Sequence, residues 1–104
     1  MSDHQVKFTL ITPNELKDDI IDCLMKFDLI SGFNLSTING FSKEHHCFNI
    51  EEQVQGFKQL SQFDIIIAEI DKQALINELS KVTRANKLKY WVVPLNESAH
   101  LNEK

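Results

Sequence analysis

Three neighbouring residues, His45, His46 and Cys47, carry side chains that bind metal ions. Imidazole nitrogen and thiolate sulfur suit zinc, copper and nickel. Consecutive residues of an extended chain point to opposite sides, so these three do not converge easily on one ion. Two interpretations stand: a partial zinc or copper site, or a solvated loop that happens to contain these residues.

These side chains belong to a long polar segment, residues 40–56, which lies between two strand-like runs. A connection of more than about 12 residues is uncommon in a compact domain and is usually functional or disordered. We therefore expect the function of the protein to depend on this segment.

Elsewhere the sequence contains no nucleophile motif and no glycine-rich phosphate loop, so we expect no enzyme. A net charge of −4 and scattered lysines argue against nucleic acid as the main partner. We find neither a secretory signal nor an apolar run long enough for a bilayer. These features predict a cytoplasmic protein without membrane insertion.

Hydrophobic periodicity predicts the elements that position the segment. Strands are expected over 5–11, 33–38, 57–70 and 87–94, and helices from Thr12 to near Asp28 and from Asp71 to Val82. At the start of the first helix, Thr12 is a candidate cap. With Glu15 three residues later, it would form a capping box.

The order βαββαβ predicts an α+β, ferredoxin-like domain over residues 1–104. Its sheet has four antiparallel strands, with the first and third in the centre and both helices on one face. The second face is then uncovered, although it carries residues such as Ile11, Ile66 and Ala68. Bulky apolar groups on an open face favour association of subunits over a half-polar face left in water.

Several pieces of the chain match a known family: 31–33 (Ser-Gly-Phe), 39–40 (Asn-Gly), 52–56 (Glu-Gln-Val-Gln-Gly), 90–94 (Tyr-Trp-Val-Val-Pro) and 97–98 (Glu-Ser). The chain resembles the small PII-like proteins of domain-of-unknown-function family 3240, within the superfamily of the nitrogen regulatory protein PII and CutA. The resemblance implies a homotrimer whose sheets face inward. It also implies that segment 40–56 corresponds to the PII T-loop, which contacts partner proteins. The partner-binding residues would be Lys43, Glu44, His45, His46, Cys47, Glu52, Gln53 and Gly56.

In PII proteins a glycine-containing loop before the last strand helps to bind nucleotides between subunits. The corresponding connection here, residues 83–87, has no glycine to bring backbone amides close to a phosphate. An adenine nucleotide is therefore not expected as a cofactor. Arg84, Lys87 and Lys89 remain candidates for contact with an anion.

Two functions stay open. The first is a PII-like regulatory trimer whose loop docks on a partner protein such as a membrane transporter, gated by a small ligand. The second is a cytoplasmic heavy-metal-binding or metal-sensing protein that uses His45, His46 and Cys47. Family members often accompany metal efflux systems, which favours zinc or copper by association. A structural assembly protein with a disordered loop is a third alternative.

Overall fold

A computed structural model of the chain describes residues 4–41, 57–84 and 86–103. Within these ranges the chain alternates strands and helices in the predicted order βαββαβ. The elements are β1 (Gln5–Pro13), α1 (Lys17–Lys26), β2 (Asn34–Gly40), β3 (Lys58–Ala68), α2 (Lys72–Thr83) and β4 (Lys89–Pro94).

The four strands form one antiparallel sheet in the order β2-β3-β1-β4. β1 and β3 are central, as predicted, and they pair along their length from Gln5–Ala68 to Pro13–Leu60. This arrangement confirms the ferredoxin-like fold class. It also makes β2 and β4 the two edges of the sheet.

The hydrophobic core lies between one face of the sheet and the two helices. Alternate residues of the central strands point to this helix side, because successive side chains of a strand face opposite ways. The fully buried apolar side chains are Val6, Phe8, Leu10, Ile20, Leu24, Phe63, Ile65, Ile67, Leu75 and Leu79. Both helices therefore pack on the same face of the sheet, as expected.

The predicted capping box at the first helix is wrong. Thr12 is a buried residue of β1, and its hydroxyl donates to the carbonyl of Pro13 at 3.1 Å. The strand continues through Pro13, and a 3-10 turn over Asn14–Leu16 then leads into α1 without a side-chain cap. Strand pairing with β3 thus holds Thr12 away from the helix start.

A second 3-10 turn, Glu69–Asp71, leads from β3 into α2. Asp71 occupies the position before the helix, and its side chain makes no capping hydrogen bond. Instead, Lys72 donates to Glu69 Oε2 at 2.9 Å across the turn. None of the helices that the structure describes is both long and apolar enough to cross a membrane.

Candidate functional site

The base of the long segment is a regular, paired hairpin end. β2 and β3 stay in register up to the Gly40–Lys58 pair. Beyond it, the rings of Phe41 and Phe57 lie 5.6 Å apart in a tilted arrangement. A Cβ at Gly40 would stand 2.6 Å from Leu60 Cδ1, so a larger residue there would require the leucine to move. The two strands therefore hold both ends of the segment side by side.

The structure does not describe residues 42–56. The predicted partner-binding residues from Lys43 to Gly56 lie outside the described residues. The candidate metal ligands His45, His46 and Cys47 lie there too. In residues 4–41, 57–84 and 86–103, no three His, Cys, Asp or Glu side chains form a group that could hold a metal ion.

The connection between α2 and β4 contains an unusual backbone conformation. Arg84 has φ 53° and ψ −122°, the angles of the first central position of a type II′ turn. The amide of Asn86 donates to the carbonyl of Thr83 at 3.1 Å and closes that turn. The side-chain amide of Asn86 donates to the same carbonyl at 2.9 Å. Glycine is the residue that normally takes this conformation, so arginine is strained here.

The three predicted anion-binding residues lie at the same end of the sheet but not on one side of it. Arg84 borders the helix side, close to Leu79 and Tyr90 at a cleft of about 150 Å³. Lys89 pairs with Ile11 in the register of β4 and shares the uncovered face with it. Lys87 is an exposed residue of the connection.

These cations and the hairpin base lie at the same end of the sheet but at opposite edges. β4 begins beside Ile11, whereas β2 ends at Gly40, and β1 and β3 stand between them. Three strand spacings separate the two edges by about 14 Å.

The second face of the sheet has no helix over it, and we call it the open face. Its residues run in rows across the strands, and the bulkiest are partly exposed. Trp91 is 40% exposed, Val93 is 42% exposed and Ile66 is 39% exposed. Ile11, Ile38 and Leu60 share this face through the strand register and are half-buried. Partly exposed and half-buried apolar side chains therefore lie together on the side of the sheet that no described helix covers.

A polar row crosses the middle of the open face. Thr9 of β1 pairs in register with Asp64 of β3 on one side and with Trp91 of β4 on the other. The Thr9 hydroxyl donates to Asp64 Oδ1 at 2.7 Å, and the amide of Gln62 donates to Asp64 Oδ2 at 3.1 Å. Both carboxylate oxygens thus accept a hydrogen bond from a neutral side chain.

A shallow cleft of about 900 Å³ separates α1 and α2 on the opposite side of the molecule. Cys23, Phe27 and Val82 are among its lining residues. Cys23 is partly buried and packs against the core. Burial raises the pKa of the Cys23 thiol, and the carboxylate of Glu78 raises it further.

The family model described as "Protein of unknown function (DUF3240)" matches residues 2–102 of the chain. The chain belongs to the DUF3240 family. A solved DUF3240 family protein from Shewanella baltica OS155 is 33% identical, with a TM-score of 0.78. The similarity covers 97% of this chain and 99% of that one. The predicted resemblance is therefore confirmed.

The fold of this DUF3240 chain is also that of PII. Arabidopsis thaliana PII, solved with bound citrate, is similar at a TM-score of 0.71 and 16% identity. The similarity covers 96% of this chain and 82% of that one. At this identity the likeness shows the fold. The comparison with curated proteins found no match.

Sequence reasoning did not find two features of this DUF3240 chain. The first is the polar row, because only the strand register shows that Thr9 and Asp64 are direct neighbours. The second is the strained turn at Arg84, because the absence of glycine from the connection argued against such a conformation. A signal for the row exists in hindsight: Asp64 interrupts an apolar run in a central strand.

Proposed function

We propose that this protein is a non-enzymatic regulatory protein of the PII type, which acts in the cytoplasm as an assembly of three copies. Its long segment, residues 40–56, would contact a partner protein, and a small anionic ligand would control that contact. The observation that carries the proposal is the hairpin base. Paired strands up to Gly40–Lys58 present the segment at one end of a PII-like sheet.

The open face supports the assembly. Trp91, Val93 and Ile66 leave about two-fifths of their surface in water in a single copy. Burying apolar surface contributes about 25 cal/mol per Å², so covering this face would stabilise an assembly substantially. The trimer with inward-facing sheets that the family resemblance implies would cover it in every copy.

The ligand would bind between copies. One copy would supply the hairpin base, and the next would supply Arg84, Lys87 or Lys89 from the edge of β4. The three cations favour an anion with several carboxylates or phosphates. Citrate, the molecule bound to Arabidopsis PII, has this chemistry and is a suitable first probe. A nucleotide remains the less favoured ligand, because the α2–β4 connection contains no glycine.

Binding or sensing of a heavy metal is the second candidate function. Its support is the run of donor side chains His45, His46 and Cys47, which suits zinc or copper. Such a site would draw on residues 42–56 and on neighbouring copies. A metal that orders this segment would also change the surface that it presents to a partner, for example a membrane transporter.

A thermal-shift experiment separates the two functions, because selective binding to the native state raises its stability. The probes are citrate, ATP, zinc and copper, each at a large excess over its dissociation constant. The proteins are the wild type, an Arg84/Lys87/Lys89 alanine variant and a His45/His46/Cys47 alanine variant. The regulatory proposal expects citrate to raise the Tm of the wild type by several degrees, and of the His/Cys variant equally, but not of the Arg/Lys variant.

A shift that only metals produce, and that the His/Cys variant loses, would contradict the anion-gated proposal and favour metal sensing. The role of the segment needs its own test. Cross-linked complexes from solubilised membranes are compared between the wild type, a variant with residues 43–47 changed to alanine, and Leu101→Asp as a matched surface control. We expect the wild type and the control to recover the same membrane protein and the segment variant to lose it. Equal recovery by all three would rule out docking through residues 43–47.

A further inference from the structure

Asp64 carries a negative charge in the middle of the open face, on the central strand β3. Its oxygens accept hydrogen bonds from Thr9 and Gln62, and both donors are neutral. A carboxylate accepts about four hydrogen bonds, so two acceptor positions are left for another donor. Among the residues that the structure describes, no cation lies within ion-pair distance of Asp64.

Lys7 carries the opposite charge on the same face. It stands in the central strand β1, between Ile66 and Val93, which are both partly exposed and apolar. Lys7 is half-buried and makes no ion pair with any described residue. An assembly through the open face would take this ammonium group out of water together with its apolar neighbours.

The other lysines of the open face fit Asp64 less well. Lys58 pairs with Gly40 at the loop end of the sheet, six residues from Asp64, which corresponds to about 20 Å along the strand. Lys89 is exposed at the start of the edge strand β4, where it can keep its hydration. Lys7 is therefore the cation that shares the covered centre of the face with Asp64.

Covering the face would leave two buried charges of opposite sign in every copy. Removing an ion from water costs several kcal/mol unless a counter-charge and hydrogen bonds compensate it. A symmetric assembly brings one Asp64 and one Lys7 from each copy, so the charges balance. We propose that Lys7 of one copy pairs with Asp64 of the next and thereby fixes the register of the assembly. This inference rests on the proposed trimer and adds its specificity contact.

The test uses charge reversal on the full-length chain, with association measured by sedimentation velocity and folding by circular dichroism. Lys7→Asp and Asp64→Lys each place like charges in the contact, so we expect each to weaken self-association at least tenfold. Lys26→Asp, an equal charge change on the helix side, should associate like the wild type. Mixing the two reversal variants should restore assembly in part, because two of the three contacts in a mixed trimer then join opposite charges and the third still joins like charges. A single chain that carries both reversals should restore assembly fully, because opposite charges then meet at all three contacts.

The mixture also distinguishes a Lys7–Asp64 contact between copies from a Lys7–Asp64 contact within one copy. Each single variant has lost the pair within its own chain, so only a contact between copies can recover on mixing. A mixture that associates no more strongly than either variant alone would overturn the proposal. Reversal variants that associate like the wild type would overturn it too. If reversal prevents folding, Lys7→Gln and Asp64→Asn replace it. The double neutral variant should then lose less affinity than the sum of the single losses, and strict additivity would overturn the pair.

These outcomes differ from failure of the proposed trimer. A monomeric wild type would remove the trimer and this inference together. A trimeric wild type with harmless reversals would remove the Lys7–Asp64 contact alone.

Discussion

The hydroxyl of Thr9 donates a hydrogen bond to Oδ1 of Asp64 across the two central strands, at a distance of 2.7 Å. Thr9 is only 1% exposed, although no helix covers this side of the sheet. Its neighbours Asp64 and Trp91 flank it in register on the two adjacent strands. The open face thus has an ordered, hydrogen-bonded polar row that lies among partly exposed apolar side chains.

Replacing Trp91 by aspartate should break the assembly and leave the fold intact. The indole lies on the open face, so the variant loses apolar contact and places a charge in the interface. We expect self-association to weaken at least tenfold, with the far-ultraviolet circular dichroism spectrum unchanged. Leu101→Asp, at a residue that is 92% exposed, is the matched control and should associate normally. Normal association of Trp91→Asp would show that the open face is not the interface.

The Cys23 thiol should react slowly with an alkylating reagent near neutral pH. Only the thiolate attacks, and burial together with Glu78 raises the pKa of Cys23 above that of a free thiol. The midpoint of the rate profile should therefore lie above that of a model thiol. Glu78→Gln should lower it, because the variant removes a negative charge and frees Lys81, which is its partner at 2.9 Å.

Peptide-resolved mass spectrometry follows Cys23 separately from Cys47. Asp28→Asn removes a negative charge at the rim of the same cleft and is the control, which should leave the midpoint unchanged. A midpoint at or below that of the model thiol would contradict the assigned environment.

Asn14→Ala should destabilise the protein by about 1–2 kcal/mol. Ser61 is buried in β3, and its hydroxyl donates to Asn14 Oδ1 at 2.7 Å, so alanine would leave that donor without its acceptor. Asn14→Asp keeps an acceptor oxygen, so its loss of stability should be less than half that of Asn14→Ala. Urea denaturation monitored by fluorescence measures both variants. Equal losses would mean that the Ser61 contact contributes nothing.

Arg84→Gly should keep or increase the stability of the folded chain, unlike most glycine substitutions. Strain at a non-glycine residue with positive φ costs about 1–3 kcal/mol, and glycine removes it. The added entropy of the unfolded chain offsets about 0.5–1 kcal/mol of that gain. Lys87→Gly, in the same connection but without a positive φ, should only lose stability. If urea denaturation shows the same loss of stability for both variants, Arg84 is not strained.

The order of elements could be predicted because each strand and helix has its own hydrophobic period. Val6, Phe8 and Leu10 alternate, and all three are buried on the helix side. Helix starts were less predictable. Thr12 and Glu15 match a capping box, but pairing of Thr12 and Pro13 with β3 extends the strand and displaces the helix start. Tertiary pairing outweighed the local capping signal.

The candidate site could be predicted only in part. The open face followed from the fold, since a sheet with both helices on one side leaves the other side uncovered. The Thr9–Asp64 contact joins two residues that are 55 positions apart in the sequence, so it depends on the strand register, which no local pattern encodes. The conformation of Arg84 depends on the turn closed by Thr83 and Asn86, against the intrinsic preference of arginine. The partner-binding and metal-binding roles of residues 43–56 stay predictions.

The most direct test of this account is the mass of the wild-type protein in solution. Sedimentation equilibrium at micromolar concentration, in a buffer without added ligand, measures that mass independently of molecular shape. A trimer should give about three times the chain mass of 12.0 kDa. Changing Trp91 to aspartate should lower the measured mass towards that of one chain. A wild-type mass of one chain would contradict the inward-facing trimer, and with it the proposed ligand site between copies.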